Sequence, residues 1–274
     1  EPYFSFTSWF WDYDNDGDLD ILSSGYEYGI TKSLESYKGI VDDDYSVKIF
    51  NNDGNGNYTE NSKKLNLNKV HSVMGGNYGD LNNDGFDDIY LGTGYPYIDS
   101  IIPNAFYINN KGISFIDQTH SFGLGHLQKG HGIGFADFDL DGDLDIFEQM
   151  GGFYLSDGFT NLLYENPGNS NNWIGIILQR DDDNTIFGSK ITLQCNNEST
   201  YNSFVDNGGS FGSSSLIQTL GLNECDNILE LKIDWANSNK VQHLKNVEVN
   251  QYILIREFED NYKVIKFKVG ETIE

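Results

Sequence analysis

Aspartates alternate with other residues in the stretch "DYDNDGDLD" at residues 12–20, around a single glycine. Carboxylates placed so close repel one another unless a cation neutralises them. Calcium takes six to eight oxygen ligands, and alternate residues of a tight loop can direct their carboxylates at one point. Zinc is disfavoured because the stretch contains neither His nor Cys. The residue types and their spacing therefore predict a calcium-binding loop with Gly17 at its sharpest turn.

The motif occurs twice more, as "DLNNDGFDD" at 80–88 and "DFDLDGDLD" at 137–145, which gives loops 1, 2 and 3. Three copies in one register argue against ordinary solvated acidic turns and predict about three Ca²⁺ ions. Side chains of the first, third, fifth and ninth residues and the carbonyl of the seventh are the predicted ligands. They are Asp12, Asp14, Asp16, Asp18 and Asp20 in loop 1, Asp80, Asn82, Asp84, Phe86 and Asp88 in loop 2, and Asp137, Asp139, Asp141, Asp143 and Asp145 in loop 3. Loop 2 has one carboxylate fewer among these side chains, so we expect it to bind calcium most weakly.

An EF-hand is the competing calcium motif. Loop 3 is followed by Glu148 at the twelfth position, where an EF-hand supplies a bidentate acid, but the other copies have Ser23 and Leu91 there. The flanking residues are rich in glycine and aromatics and show no helical periodicity. The sequence therefore predicts loops between strands.

The spacing of the loops indicates a repeated structural unit. Their starts are 68 and 57 residues apart, and an Asn-containing hairpin element follows each loop, with Asn51, Asn109 and Asn166 taken as equivalent. The unit is thus about 57 residues long, and the first copy contains an insertion of about ten residues within 27–45. Such a period is typical of a four-stranded propeller blade. The isoleucine after each loop is predicted to lie in an inner strand.

Composition limits the class of protein. The 274 residues include 42 acidic and 17 basic side chains, for a formal charge of −25. So acidic a chain would be repelled by nucleic acid and by anionic membrane surfaces, so neither is an expected partner. No apolar run is long enough to span a bilayer. The chain has only four prolines but 30 glycines and 35 Tyr or Phe residues, a composition that favours short strands joined by tight turns.

The C-terminal part has a different pattern. Residues 171–257 contain the runs "WIGIILQ", "SKITLQC", "ILELKIDW" and "QYILIREF", separated by clusters of Asn, Gly and Asp. This pattern predicts a compact β-sandwich, with residues 258–274 as a tail or an extra strand. Cys195 and Cys225 lie at the ends of such runs. They form either a disulfide or two separate buried thiols.

The D-x-D/N-x-D-G-x-x-D loops, each leading into a strand and an aromatic–Asn–Gly hairpin, resemble FG-GAP/VCBS repeats. Residues 171–257 resemble the ASPIC/UnbV domain, which follows such repeats in cartilage acidic protein and its bacterial relatives. The second resemblance rests on "NNWIGIIL", "FGSKITL", "GGSFGSSS", "LGL", "LKIDW" and "NQYILIRE", and departs from the family's Trp-Pro-x-Gly at "DWANSNK". Together they imply an all-β protein: about three calcium-binding blades of the integrin-α type over residues 1–170, followed by a β-sandwich-like domain.

The resemblance also implies a function. We expect a secreted or cell-surface calcium-binding repeat protein that acts in adhesion, partner binding or extracellular assembly, with a protein or glycan ligand and no enzymatic activity. The alternative is a lectin-like carbohydrate-binding module of a surface glycan-handling system, for which the aromatic clusters "YEYG" and "GYPYID" could stack on sugars. An enzyme is the least favoured class because neither resemblance transfers a catalytic residue.

Three repeats are fewer than a closed propeller needs. Propellers close with four to eight blades, and three would leave two apolar sheet faces open. We therefore expect an upstream segment or another chain to supply the missing faces. The aromatic stretch "EPYFSFTSWFW" at residues 1–11 is expected to be an inner strand whose partner lies earlier in the chain.

Overall fold

The computed structural model describes residues 2–99, 101–180 and 185–267. Their strands form five sheets, of which three follow one another along the N-terminal part and two belong to the C-terminal part. None of the helices in these ranges has the length and apolar character that a membrane crossing requires. The predicted all-β class is confirmed.

Each N-terminal sheet is a blade whose strands are antiparallel and neighbour one another in chain order. Blade 1 contains β1 (Ser5–Trp11), β2 (Asp20–Gly25), β3 (Val47–Asn52) and β4 (Tyr58–Glu60). Blade 2 contains β5 (Val73–Gly79), β6 (Asp88–Thr93), β7 (Ala105–Asn109) and β8 (Phe115–Asp117). Blade 3 contains, within the described residues, β9 (Gly130–Ala136), β10 (Asp145–Met150) and β11 (Leu162–Tyr164).

Strand order tests two sequence expectations. Strand β5 packs against both β1 and β9, so the first strand of each blade is the innermost. The isoleucine after each loop lies in the second strand, which begins at the last residue of the acidic loop and lies between the first and third strands of the sheet, as predicted. Strand β1 does not need an earlier partner, because loop 1 folds the chain back so that β2 pairs with it directly.

The three blades share one register, in which the isoleucine after the loop faces an aromatic residue: Ile21 and Phe50, Ile89 and Tyr107, Ile146 and Tyr164. This register makes Asn52, not Asn51, the equivalent of Asn109 and Asn166. Two adjacent asparagines stand in the first hairpin, and spacing alone could not choose between them. The insertion in repeat 1 is accommodated in the β2–β3 connection, which contains α1 (Thr31–Tyr37).

The C-terminal part is a sandwich of two four-stranded sheets. Its strands are β12 (Asn172–Gln179), β13 (Lys190–Cys195), β14 (Thr200–Phe204), β15 (Gln218–Asn223), β16 (Asn227–Asp234), β17 (Val241–Glu248), β18 (Tyr252–Arg256) and β19 (Tyr262–Ile265). One sheet has the order β15-β12-β18-β19 and the other β14-β13-β16-β17. Alternating apolar side chains from both sheets form one aliphatic core. A disulfide joins Cys195 and Cys225 at the edge of this core, and the two-thiol alternative is wrong.

A segment of the C-terminal part reaches back into the blades. Residues 207–215, the glycine–serine segment, lie along the inner strands, where Ser210 and Gly76 exchange two backbone hydrogen bonds of 3.0 and 2.7 Å. The approach requires glycine, because a Cβ on Gly212 would lie 1.9 Å from the carbonyl oxygen of Ile133. The segment therefore holds the C-terminal domain against the blades, close to the acidic loops.

Candidate metal centre

The acidic loops join the first and second strands of each blade and share one backbone conformation. The fourth and sixth residues of each loop have positive φ: 60° and 92° at Asn15 and Gly17, 55° and 91° at Asn83 and Gly85, 66° and 101° at Leu140 and Gly142. Asn and Gly are the residues that adopt this region most readily. The turn predicted at Gly17 is present in all three loops.

The first aspartate of each loop fastens the turn. Both oxygens of Asp12 accept backbone hydrogen bonds, Oδ1 from Asp16 at 3.0 Å and Oδ2 from Gly17 at 2.8 Å. The same pair of bonds joins Asp80 to Asp84 and Gly85 at 3.0 and 2.7 Å, and Asp137 to Asp141 and Gly142 at 3.1 and 2.7 Å. The amide groups draw the chain around the carboxylate, which brings the alternate side chains to one side.

The ninth residue of each loop connects the loop to the hairpin of its own blade. Asp20 accepts hydrogen bonds from the backbone N–H groups of Tyr13 at 3.3 Å and Asn52 at 2.7 Å. Asp88 likewise accepts hydrogen bonds from the backbone N–H groups of Leu81 at 3.1 Å and Asn109 at 2.8 Å. Asp145 accepts them from Phe138 at 2.9 Å and Asn166 at 2.8 Å. These carboxylates therefore hold the loops in shape, in addition to any metal they bind.

The carboxylates of loops 1 and 3 converge. Oxygens of Asp12, Asp14 and Asp16 lie within 4.8 Å of one another, and so do oxygens of Asp137, Asp139 and Asp145. Among the residues that the structure describes, no three carboxylates of loop 2 come this close. Loop 2 has Asn82 at its third position, and the amide of Asn82 donates to Asp84 at 3.4 Å.

Burial opposes the ionisation of these acids. It raises the pKa of Asp12 to about 7, with repulsion from Asp16 and Asp14 adding to the effect. Burial also raises the pKa of Asp20 and of Asp143 to about 7, and neighbouring aspartates add to it in both cases. Burial also raises the pKa of Asp80 and of Asp88 well above the usual range, and repulsion adds to it, from Asp84 and Asp87 in the case of Asp80 and from Asp80 and Asp84 in the case of Asp88. A bound cation would supply the missing opposite charge.

The donor set fits calcium. The Oδ1 atoms of Asp14 and Asp143 are buried and have no hydrogen-bond partner in the protein. Buried carboxylate oxygens without partners are costly, and an ion coordinated by oxygen removes that cost. The sequence assigned Asp143 only a carbonyl ligand, but its carboxylate is buried as well. Asp18 and Phe86 occupy the same loop position, and their N–H groups donate to Asp16 and Asp84 at 2.9 and 3.0 Å.

Two known families match parts of the chain. The family described as FG-GAP-like repeat matches residues 12–91, and the family described as ASPIC and UnbV matches residues 181–261. The chain combines FG-GAP-like repeats with an ASPIC and UnbV domain. A comparison with curated proteins gives no match.

The loops of the FG-GAP-like repeats are linked to one another, which the sequence reading missed. The side-chain amide of Asn15 in loop 1 donates to the carbonyl of Gly85 in loop 2 at 3.3 Å. In the same way Asn83 of loop 2 donates to Gly142 of loop 3 at 3.2 Å. An asparagine at the fourth loop position was the available signal.

The ASPIC and UnbV domain packs directly on all three loops. Its Lys190 ammonium donates to the carbonyl of Gly17 at 2.5 Å. Aromatic rings occupy the space beside the other two loop glycines, where an added Cβ would lie 2.1 Å from Tyr201 and 1.8 Å from Trp173. The Tyr252 hydroxyl donates to Asp137. The loop glycines therefore provide both the turn and the clearance for the second domain, and no sequence pattern indicated this role.

Proposed function

We propose that the chain is an extracellular calcium-stabilised module that binds a partner and performs no catalysis. The single observation that carries the proposal is the convergence of aspartates in loops 1 and 3, together with the buried carboxylate oxygens of Asp14 and Asp143 that have no hydrogen-bond partner. FG-GAP-like repeats are typical of extracellular proteins, and the Cys195–Cys225 disulfide suits an oxidising compartment.

The end of the blades away from the loops supports partner binding. There the β2–β3, β6–β7 and β10–β11 connections form one set of surface segments, here called the connection face. Each segment carries exposed large apolar side chains, which are Tyr28, Leu34 and Ile40, then Tyr97, Ile98 and Ile101, then Phe153, Tyr154, Leu155 and Phe159. Exposed apolar groups of this number mark interaction surfaces. The ASPIC and UnbV domain covers the loop end, and the side chains named for the connection face are exposed.

A glycan ligand is the second candidate, favoured by paired aromatic rings on the connection face. Buried Tyr26 supports exposed Tyr28 at a ring distance of 5.4 Å, and buried Tyr95 supports exposed Tyr97 at 5.6 Å. Rings held in place by a buried neighbour present flat apolar surfaces on which sugars stack. A glycan array tests this candidate. Binding that is lost in Tyr28→Ala and in Tyr97→Ala, but kept in the control Tyr58→Ala, would support a glycan ligand over a protein partner.

Calcium titration tests the main proposal. Calorimetry of metal-free protein should show about three binding events, with loop 2 the weakest and the first to empty against a chelator. Asp14→Asn should remove one event. Asp44→Asn, an exposed acid outside the loops, should remove none. Absence of calcium binding in wild-type protein would overturn the proposal, and catalytic turnover that survives chelation would indicate an enzyme instead.

A further inference from the structure

Blade 3 differs from the other two at its outer edge. The third strands of blades 1 and 2, β3 and β7, each pair with a fourth strand. Strand β11 pairs with β10 on one side, and the described residues provide no strand on the other. After Asn166 the chain turns away toward β12, so the repeat does not supply its own fourth strand.

Strands β4 and β8 show which sequence fits the fourth-strand position of a blade. Strands β4 and β8 begin the sequences "YTENS" and "FIDQT", and both have the same register. The aromatic residue lies opposite the hairpin asparagine (Tyr58 and Asn52, Phe115 and Asn109), and the acid lies opposite the aromatic of the third strand (Glu60 and Phe50, Asp117 and Tyr107).

The last residue of each sequence bonds back to the third strand. The acid accepts the N–H of the Ser or Thr two positions later, at 2.8 Å for Ser62 and 3.2 Å for Thr119. The hydroxyl of this Ser or Thr accepts a hydrogen bond from a backbone N–H of the third strand. The donor is Ile49 for Ser62, at 2.7 Å, and Phe106 for Thr119, at 2.9 Å. Pattern, register and closing hydrogen bonds are therefore common to both filled positions.

Between blades 1 and 2 the aromatic residue of the fourth strand completes the core. Phe115 is 2% exposed and stacks on Trp11 of blade 1 at 5.8 Å. Its N–H donates to the carbonyl of Leu65 at 2.8 Å, and Leu65 is 1% exposed. The fourth strand thus covers the segment that links one blade to the next.

The corresponding place between blades 2 and 3 is an apolar groove. Phe122 is the equivalent of Leu65, since its N–H donates to Gln118 at 3.0 Å as that of Leu65 donates to Asn61 at 2.9 Å. Yet Phe122 is 59% exposed. The groove has a volume of about 340 Å³, and its walls include Leu81, Ile108, Phe122, Leu163 and Tyr164.

The backbone of β11 is oriented to receive a strand. In β7 the N–H of Phe106 donates outward to Thr119 Oγ1, and its carbonyl accepts the N–H of Gln118 at 2.9 Å. Backbone groups alternate in direction along a strand, so Leu163, the equivalent of Phe106, and Glu165 two residues later direct theirs to the free edge. Such an edge is a template for an added strand.

We propose that this groove and the free edge of β11 bind an extended peptide strand supplied by a partner. The strand has the pattern aromatic, β-branched, acidic, amide, Ser or Thr, and runs antiparallel to β11. Its aromatic ring fills the groove beside Phe122, opposite Asn166, and its acid lies opposite Tyr164. The site is separate from the calcium loops and the connection face, and does not depend on the function proposed for them.

The test uses the whole chain and a labelled peptide with the sequence of residues 110–119, "NKGISFIDQT", added in trans. Fluorescence anisotropy should show saturable binding. The same peptide with Phe115→Ser should bind at least about tenfold more weakly, because burial of the ring is lost. Absence of saturable binding by the original peptide, or equal binding of both peptides, would overturn the proposal.

Variants of the chain locate the binding. Glu165→Pro removes an outward N–H from an exposed edge position and should abolish binding, whereas Glu165→Ala keeps the N–H and should bind as wild type. Phe122→Ser should weaken binding. Thermal melting should show that all three variants remain folded. Unchanged binding to Glu165→Pro would overturn the proposal. Light scattering gives a second contrary outcome. If it shows a dimer that Glu165→Pro disrupts and that the peptide does not dissociate, the occupant of the β11 edge is a second copy of the chain, and the proposal is wrong.

Discussion

The blades and the C-terminal sandwich are stabilised in different ways. The sandwich has a continuous aliphatic core that a disulfide closes. The blades bury many more polar side chains, among them Asp20, Asp80, Asp88, Asn77, Asn104, Asn109, Asp145 and Glu148. Buried carboxylates need partners, and one oxygen each of Asp14 and Asp143 in the blades has no hydrogen-bond partner in the protein, whereas the buried Glu257 of the sandwich is ion-paired with Arg180. On the calcium proposal, bound ions stabilise the blades, whereas the sandwich is stabilised by its aliphatic core and its disulfide.

Removal of calcium should give the largest difference between the two regions. Three ions would change the formal charge from −25 to −19, since each adds two positive charges. At a free calcium concentration a hundred times the dissociation constant, each ion contributes about 2.7 kcal/mol to the free energy of unfolding. Chelation should therefore increase hydrogen exchange strongly in β1–β11 and much less in β12–β19. Restored calcium serves as the control. An equal increase in both regions would contradict the comparison.

Loss of the disulfide should destabilise the sandwich more than the blades, the reverse of the effect expected for calcium removal. The double variant Cys195→Ala, Cys225→Ala should lower the free energy of unfolding of the sandwich by about 3 kcal/mol, because the bond closes a loop of about 30 residues. Hydrogen exchange should rise in β13 and β16. Calcium titration of the blades should change little. A reductant should destabilise wild type and leave the double variant unaffected.

The blades should also respond to pH through Glu148. Burial raises the pKa of Glu148 to about 7, although hydrogen bonds from Tyr90 and Tyr164 act in the opposite direction. Because its pKa is higher in the folded state than the unfolded value of about 4.5, its contribution is fully present below pH 4.5 and is lost as pH rises through about 7. The loss is on the order of 2 to 3 kcal/mol.

Urea unfolding of calcium-loaded protein at pH 5 and pH 8 measures this change. Glu148→Gln should reduce the pH dependence of blade stability, and the remainder is expected from other buried acids such as Asp87, whose pKa burial raises to about 7. Glu230→Gln, in the sandwich, should leave it unchanged. If the Glu148→Gln protein kept the full dependence, another buried acid of the blades would be responsible.

A smaller effect is expected at the contact between the two regions. Gly85→Ala places a Cβ 2.1 Å from the Tyr201 ring at a position with φ of 91°. We expect a loss of about 2 kcal/mol, from backbone strain and displacement of the ring. Gly123→Ala is the matched control, because its φ is 72° but an added Cβ has no neighbour within 4 Å. Similar losses in both variants would mean that only the backbone matters.

The sequence predicted what depends on neighbouring residues. The nine-residue loops, the three repeats and the β-rich C-terminal domain all follow from local patterns of charge, glycine and alternation. The docking of the domain on the loops did not follow, because contacts such as that between Asn15 and Asn202 join residues 187 positions apart. The groove beside Phe122 was also invisible in the sequence, since the residues that the structure describes supply no fourth strand there whose motif could be read.

The asparagine bridges make the loops a directional series: loop 1 holds the glycine turn of loop 2, and loop 2 holds that of loop 3. An ion that orders one loop therefore also orders the donor of the next bridge, and sites coupled in this way share part of their binding free energy. Calcium bound at one loop should then raise the calcium affinity of the neighbouring loop, and Asn83→Ala should weaken this coupling between loops 2 and 3. The stabilities of the three blades would thus be linked, so that a change in the calcium concentration alters all three together.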